Sequence, residues 1–418
     1  MFLGPIFRAM LKNKAVTGLL IVEVTFTLII IITSLNLISG ARATINRPSG
    51  VVEENVLALQ IQSPEKKYLE DRVLEMETQK DLQFIRSQPG VLSAAVVNYW
   101  PLRGGGSLSN LKLPEQTADQ SIRSVIFYCS GEIIKTLGLE LVEGRDLADS
   151  DLPPYSGEDP KTKEESSTPL TPIVVTQKMA DALFPNGNAL GQTMITGSTT
   201  TQIVGIVSHM YNKYGMDEEL EQRITFFPAR IMSSDFCGIL IKTEPDVFED
   251  AYTRLESTFQ AKYPNRIFST QSMVELRELS IVGQRIFSKL LTILMVLLVF
   301  ITAIGIYGMA SFSVSKRRSQ IGIRRALGAK KVNIIQYFLT EMGLIAIFGS
   351  IIGLILSFVI NTILRGTLGS TPPMTIGITV ISLCMVFSMS LLATLAPSIR
   401  ATRIPPIVAS KVGKSALS

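Results

Sequence analysis

The chain has 418 residues, 46% of them hydrophobic, with a mean hydropathy of +0.32 and a formal charge of +5. That average is high for a water-soluble protein. A single histidine, His209, excludes a His-based metal site or triad built from this chain alone, and Cys129, Cys237 and Cys384 contain no Cys-x-x-Cys pair.

The first element is a basic segment, residues 1–14, followed by an apolar stretch at 15–40 whose only charge is Glu23. Roughly 20 helical residues cross ~30 Å of hydrocarbon, so 15–40 reads as a first transmembrane helix. Ala41-Arg42-Ala43 has the form of a signal-peptidase site. The apolar stretch is longer than the roughly 7–15 residues of a signal core, so we read it as an uncleaved anchor. Glu23 either faces protein or reaches the headgroups from its position near one end of the span.

Residues 41–285 form a large extramembrane segment. Val56–Gln62 reads as a strand, Glu65–Ser87 as a helix with Leu69, Val73 and Met76 on one face, and Val91–Tyr99 as a strand. The order recurs later: strand Phe236–Thr243, helix Asp246–Lys262 with Val247, Ala251, Leu255 and Phe259 on one face, strand Arg266–Thr270. Two βαβ units bracketing an insertion predict one subdomain from 50–110 and 230–271. Between them, 125–228 is expected to be a β-rich subdomain with a polar loop at Asp149–Pro172, and 272–287, with Asn36–Ile45, a stalk. Gly104-Gly105-Gly106 suits a plain turn better than an anion site.

Three further apolar segments follow, at 286–315, 336–364 and 375–397. The predicted fold is therefore a membrane protein of four transmembrane α-helices, with a large α+β periplasmic domain inserted between helices 1 and 2. Charge divides along the same lines. Asn46–Arg285 holds 33 acidic and 23 basic residues, whereas the rest holds 17 basic and 2 acidic. A basic excess beside membrane segments sets bilayer orientation and does not indicate nucleic acid. Arg8, Lys12 and Lys14, the 316–333 link, and Arg400, Arg403, Lys411 and Lys414 of the 398–418 tail are all expected in the cytoplasm, with both termini. Arg42, Arg47, Arg285 and Lys289 run against this bias but are outnumbered.

The 316–333 link carries the strongest local signal. Ser319 can cap a short helix, Ile323 and Leu327 share a face, and Gly328 can end it in left-handed geometry. Such a cationic amphipathic helix either lies on anionic headgroups or docks into a groove on a cytoplasmic protein. A phosphate-loop search finds only Gly413-Lys414-Ser415, with Val408 in place of the first glycine, so no nucleotide site is expected in this chain. Gly349 and Gly353 form a Gly-x-x-x-Gly pair suited to close helix packing, a pattern also common by chance in membrane helices. Cys129 and Cys237 lie in expected strands of an oxidising compartment and form a candidate disulfide, with two separate buried thiols the alternative.

The run Ile321-Gly-Ile-Arg-Arg-Ala-Leu-Gly-Ala329, followed by Phe338-Leu-Thr-Glu341, resembles the coupling segment of MacB/FtsX-type ABC transporter permeases, the type VII, mechanotransmission class. Ala396-Pro-Ser-Ile-Arg-Ala-Thr-Arg-Ile-Pro-Pro-Ile-Val-Ala409 is similar to the ending of that family. Leu137-Gly-Leu-Glu-Leu-Val-Glu-Gly-Arg145, Ile173-Val-Val-Thr-Gln-Lys-Met-Ala-Asp-Ala-Leu-Phe184, Gly191-Gln192 and Ile203-Val-Gly-Ile-Val207 are similar to its periplasmic core.

The resemblance implies that Ile321, Gly322, Ile323, Arg324, Arg325, Ala326, Leu327, Gly328 and Ala329 contact an ATP-binding subunit, which is expected to be separate, in departure from the fused ATPase of MacB proper. That subunit would act as a dimer using ATP and Mg, while this chain binds no cofactor itself and is no enzyme. Its closure would push the link, and helices 1 and 2 would carry the motion to the periplasmic domain. Further implied partners are a second or sister permease, a periplasmic membrane-fusion adaptor with an outer-membrane duct, and the bilayer of the bacterial inner membrane. The favoured activity is efflux of a peptide, lipopeptide or macrolide. The alternatives are an FtsX-like subunit regulating a periplasmic partner, a lipoprotein-releasing permease, and a membrane-anchored sensor.

Overall fold

A computed structural model of the protein describes residues 3–62, 71–154, 170–197, 199–212, 219–230, 237–368 and 373–403. Most of the polar loop expected at Asp149–Pro172, the tail from 404 with Gly413-Lys414-Ser415, and residues 369–372 of the turn before the last span lie outside the described residues. The chain divides into two compact units, residues 1–46 with 284–418, and Arg47–Gly283.

The first unit contains α1 (Leu3–Lys12), α2 (Lys14–Asn46), the membrane part of α7 (Met273–Lys316), α8 (Arg318–Ala326), α9 (Lys331–Leu368) and α10 (Ile376–Ala401). Among the described residues four helices, α2, α7, α9 and α10, are long and apolar enough to cross a membrane. At 1.5 Å per residue, the 44 residues of α7 span about 66 Å and the 33 of α2 about 50 Å, well beyond a hydrocarbon core. Neither helix contains an internal proline, so nothing in the backbone ends them at the membrane surface.

Val24, Leu28, Ile31 and Ile32 of α2, Met342 and Ile345 of α9, and Val386 of α10 form the core of this unit. Two glycines set the α2–α9 distance. A Cβ on Gly349 would lie 2.8 Å from Val24 Cγ1 and 3.1 Å from the Ile21 carbonyl oxygen; on Gly353, it would lie 3.1 Å from Leu28 Cδ2 and 3.2 Å from the Thr25 carbonyl oxygen. Thr25 Oγ1 also donates to the Gly349 carbonyl at 3.1 Å, across the same contact. Backbones approach this closely only where side chains are missing, which is the physical content of the Gly-x-x-x-Gly pattern.

Glu23 faces protein. Its carboxylate lies against Gly305 of α7, where any side chain would collide with it. One turn along α2, Thr27 donates to the Glu23 carbonyl at 2.7 Å and lies 3.0 Å from Thr302 Oγ1.

The second unit begins with β1 (Val56–Gln62), α3 (Asp71–Arg86) and β2 (Val91–Val97), and ends with β10 (Cys237–Thr243), α6 (Phe248–Lys262) and β11 (Ile267–Ser272). These four strands lie in the order β11-β1-β10-β2, all neighbours antiparallel. The two βαβ units are thus interleaved, each receiving a strand of the other, in a split βαβ arrangement. Side chains alternate across the sheet. Leu57, Leu59, Ala94, Val96, Ile239 and Ile241 pack under α3 and α6, while Val56, Ala58, Ala95, Val97 and Leu240 face a second core. Both faces are buried, which explains why these strands read as continuous apolar runs.

The insertion contributes β3 (Ser107–Lys112), β4 (Ile122–Cys129), α4 (Ile133–Leu137), β5 (Leu141–Gly144), β6 (Thr171–Thr176), α5 (Gln177–Leu183), β7 (Thr193–Thr196), β8 (Thr199–Val207) and β9 (Ile224–Pro228). Its strands run β4-β3-β7-β8-β6-β9, and β9 pairs back on β4, closing a ring with β5 outside on β8. The ring is no separate layer. Val97 of β2 pairs with Cys129 of β4, joining both parts in one sheet.

That junction overturns the expected disulfide. Cys129 is a free, fully buried thiol whose Sγ lies 3.7 Å from the Phe227 carbonyl, and burial raises its pKa well above the usual thiol value. Strand β2 lies between the strands carrying Cys129 and Cys237. Two strand spacings amount to about 10 Å, beyond the ~7 Å limit between Cα atoms for a bridge. The side chain of Cys237 lies outside the described residues.

Two other sequence features are structural. His209 Nε2 lies 3.1 Å from the Pro48 carbonyl, at the start of the domain. Gly104, Gly105 and Gly106 have φ of 87°, 108° and 121°, and the buried Asn212 side chain donates to the Gly105 carbonyl at 2.7 Å, so this loop is a turn held by the protein itself.

Candidate functional site

Helix α8 is nine residues long and too short to persist alone in water. It is held at both ends and along one side. At its start the cap is Arg317, not Ser319 as its residue type suggested. The difference has a clear cause. Arg317 is the hinge between α7 and α8, and its guanidinium is engaged elsewhere: Nη1 donates to Glu341 Oε2 at 2.8 Å and Nη2 to Glu341 Oε1 at 2.9 Å. Each side chain of this bidentate pair is 10% exposed, and Tyr337 Oη lies 3.3 Å from Nη1. Buried pairs of this fork geometry persist because both charges are matched and hydrogen-bonded.

At its other end, α8 stops where the sequence indicated. Gly328 has φ of +92°, its N–H donates to the Arg325 carbonyl at 3.1 Å, and the Ala329 N–H reaches the Arg324 carbonyl at 3.1 Å. These two bonds make a Schellman motif, which satisfies terminal carbonyls and needs a residue that tolerates positive φ. Arg325 Nη1 donates to the Thr402 carbonyl at 2.9 Å, just past α10, and the Arg324 guanidinium lies 4.8 Å from the centre of the Tyr337 ring.

One side of α8 is internal. Ile321 and Gly322 are buried, and Ile321 packs with Val314, Ile334, Phe338 and Ala401. The opposite side is bare: Leu327 is 83% exposed and Ile323 48%, four residues apart on one face, with Ala326 exposed beside them. Exposed Arg318, Arg324, Lys330 and Lys331 surround that face. The nine residues of the run therefore do different work. Ile321 and Gly322 attach the helix, Gly328 and Ala329 end it, and Ile323, Ala326 and Leu327 form a small apolar face with a cationic rim. Such a face fits a groove with acidic edges. Among the described residues no cluster of His, Cys, Asp or Glu could hold a metal.

Sequence reasoning missed the Arg317–Glu341 pair. A signal was available, since Glu23 and Glu341 are the only acidic residues outside 46–285. A lone carboxylate at the start of an apolar span requires a partner.

Family models match both parts of the chain. The MacB-like periplasmic core domain matches residues 17–257, more than half of it, and the FtsX-like permease C-terminal family matches residues 292–406. The chain belongs to the MacB/FtsX-type permeases. The second match contains α8 and the spans that hold it, which places the candidate site inside the FtsX-like part.

Among known MacB/FtsX-type proteins, the macrolide export ATP-binding/permease protein MacB of Marinobacter nauticus is 25% identical over 242 residues, which is 56% of this chain and 37% of that protein. MacB 2 of Yersinia pestis bv. Antiqua is 25% identical over 189 residues, 44% of this chain and 28% of that protein. The matched part is thus about a third of the length of these relatives. The periplasmic region of MacB from Actinobacillus actinomycetemcomitans aligns with 56% of this chain and 96% of its own, at 16% identity and a TM-score of 0.36.

Proposed function

We propose that this permease is the transmission subunit of an ABC exporter of the MacB type, driven by a dimeric ATP-binding subunit that docks on α8. The observation that carries this reading is the exposed face of Ile323 and Leu327, rimmed by cations and fixed by the Schellman stop at Gly328. A helix meant only to lie inside its own fold would turn its largest aliphatic side chain inward. ATP and Mg belong to the partner, and this chain supplies the surface that is pushed and the long helices α2 and α7 that carry the displacement. The inserted domain then works on its cargo outside the inner membrane with an adaptor and outer-membrane duct. The relatives' names point to a macrolide, and peptides or lipopeptides are cargo of the same reading.

Isolation of the full chain from its native membranes in mild detergent tests this directly. An ATP-binding subunit is expected to co-purify in stoichiometric amount, and its absence from complexes that keep the permease intact would remove the reading.

Orientation is tested separately, because the proposal puts α8 in the cytoplasm. On a cysteine-free background, Ser208→Cys is expected to react with an impermeant maleimide once the outer envelope is permeable. Ser319→Cys is expected to react only after the inner membrane is broken. Labelling of Ser319→Cys from outside would reverse every loop.

A further inference from the structure

We propose that the Arg317–Glu341 ion pair is the joint that fixes α8 to the third span, so that a push on α8 reaches α2 through the Gly349/Gly353 seam. This rests on the coupling reading and names the residues that position the coupling helix.

The covalent route from α8 to the inserted domain is α7, but α7 packs less extensively against α2, α9 and α10 than those three do against one another. Its Leu290, Ile293, Leu297, Phe300 and Ile304 are each more than half exposed. The better supported route starts at Arg317. Its two-pronged bond to Glu341, with Tyr337 one turn earlier under Arg324, ties the hinge before α8 to α9 at two levels. Further along α9, Gly349 and Gly353 lie against Val24, Thr25 and Leu28, where even one added methyl group would meet the α2 backbone or side chains within about 3 Å. Packing that close has little freedom to slide without separating. Helix α2 then leads directly into the inserted domain at Arg47. Displacement of α8 therefore moves α9, and α9 moves α2.

The ion pair makes this joint discrete. A buried Arg–Glu pair is either made or broken, since intermediate geometries leave charge uncompensated in a poorly solvated site. The seam needs no charge and acts by contact alone.

Two measurements test the proposal. In the full chain in lipid nanodiscs, without any partner, hydrogen exchange of the α8 amides reads the joint. Glu341→Gln is expected to lower protection of residues 318–326 about tenfold or more, and the reversed pair Arg317→Glu with Glu341→Arg to restore most of it. Unchanged protection in Glu341→Gln overturns the joint. So does a loss that the reversed pair fails to restore, because pairing of the two charges would then not be what holds α8.

The second measurement uses the complex isolated with its ATP-binding subunit, carrying a bimane label on Arg42→Cys at the far end of α2. The ATP-dependent change in emission is expected to fall about fivefold in Glu341→Gln and in the mild seam variant Gly353→Ala, with the subunit still bound. An undiminished change in both variants overturns the route through α9. If wild-type chain retains no ATP-binding subunit, the docking reading fails on its own, and the exchange measurement still decides the joint.

Discussion

Leu327→Asp is expected to weaken association of the ATP-binding subunit with this permease by about thirty- to thousand-fold. Leu327 is the most exposed large apolar side chain of the coupling run, at 83%, so the free chain tolerates the change without loss of packing. In the docked state the same position would be desolvated. Truncating an anchor at an interface centre costs about 2 kcal/mol or more, and burying an unpaired carboxylate costs several kcal/mol. At about 1.4 kcal/mol per tenfold, that range gives the stated loss.

Gly328→Val is expected to do less harm by another route. A Cβ at this position has open space around it, so the cost is purely that of holding a β-branched residue at φ of +92°. Membrane insertion and folding of the inserted domain should survive both changes, which lie outside the spans. Quantitative pull-down and ATP-driven export on the same membranes measure the effect. Normal recruitment and export in Leu327→Asp would mean that α8 only rests on lipid.

Arg266→Met is expected to lower the unfolding temperature of the inserted domain by about 6–20 °C. Arg266 precedes β11 and reaches across to α3, where Nη1 donates to Asp81 Oδ2 at 2.8 Å and Nη2 to Glu77 Oε2 at 2.6 Å. The Asp81 side chain is only 2% exposed, and the guanidinium also lies 4.2 Å from the centre of the Tyr263 ring. Removing the cation takes the counter-charge from a buried carboxylate, which keeps its hydrogen bond with Tyr263, at a cost of about 3–5 kcal/mol. For a domain of this size each kcal/mol moves the midpoint by roughly 2–4 °C.

The charge-free triple variant Arg266→Met, Glu77→Gln, Asp81→Asn should recover much of the loss, since no buried charge is left alone. Thermal unfolding of the full chain, followed by intrinsic fluorescence of its single tryptophan, Trp100, in the core of the inserted domain, measures both. A shift below about 1 °C in the single variant would show that the network contributes nothing to stability.

Features with local causes could be read directly from the residues. Four apolar stretches had to be membrane helices because length and hydropathy act within each segment. The two βαβ units were legible because their strands are unbroken apolar runs and α6 shows a helical period ending in the buried Ala251, Leu255 and Phe259, whereas the face read for α3 was misplaced, with Val73 and Met76 exposed. Gly328 ended α8 because only the backbone next to it matters there.

Where those pieces meet depends on packing across the whole fold. No period in β1 or β2 states that β10 will lie between them, because strand order is set by which faces must be covered together. The same pairing put β2 between Cys129 and Cys237, so two cysteines in one compartment had no route to a bond. The helical period groups Ile323 with Leu327, but only the packing of Ile321 against Val314, Ile334, Phe338 and Ala401 shows which face is turned outward. Arg317 and Glu341 are 24 residues apart on different helices, and each alone reads as an isolated charge. Their pairing follows from desolvation. Once α7, α8 and α9 come together there, a buried cation and a buried carboxylate are stable only in each other's company.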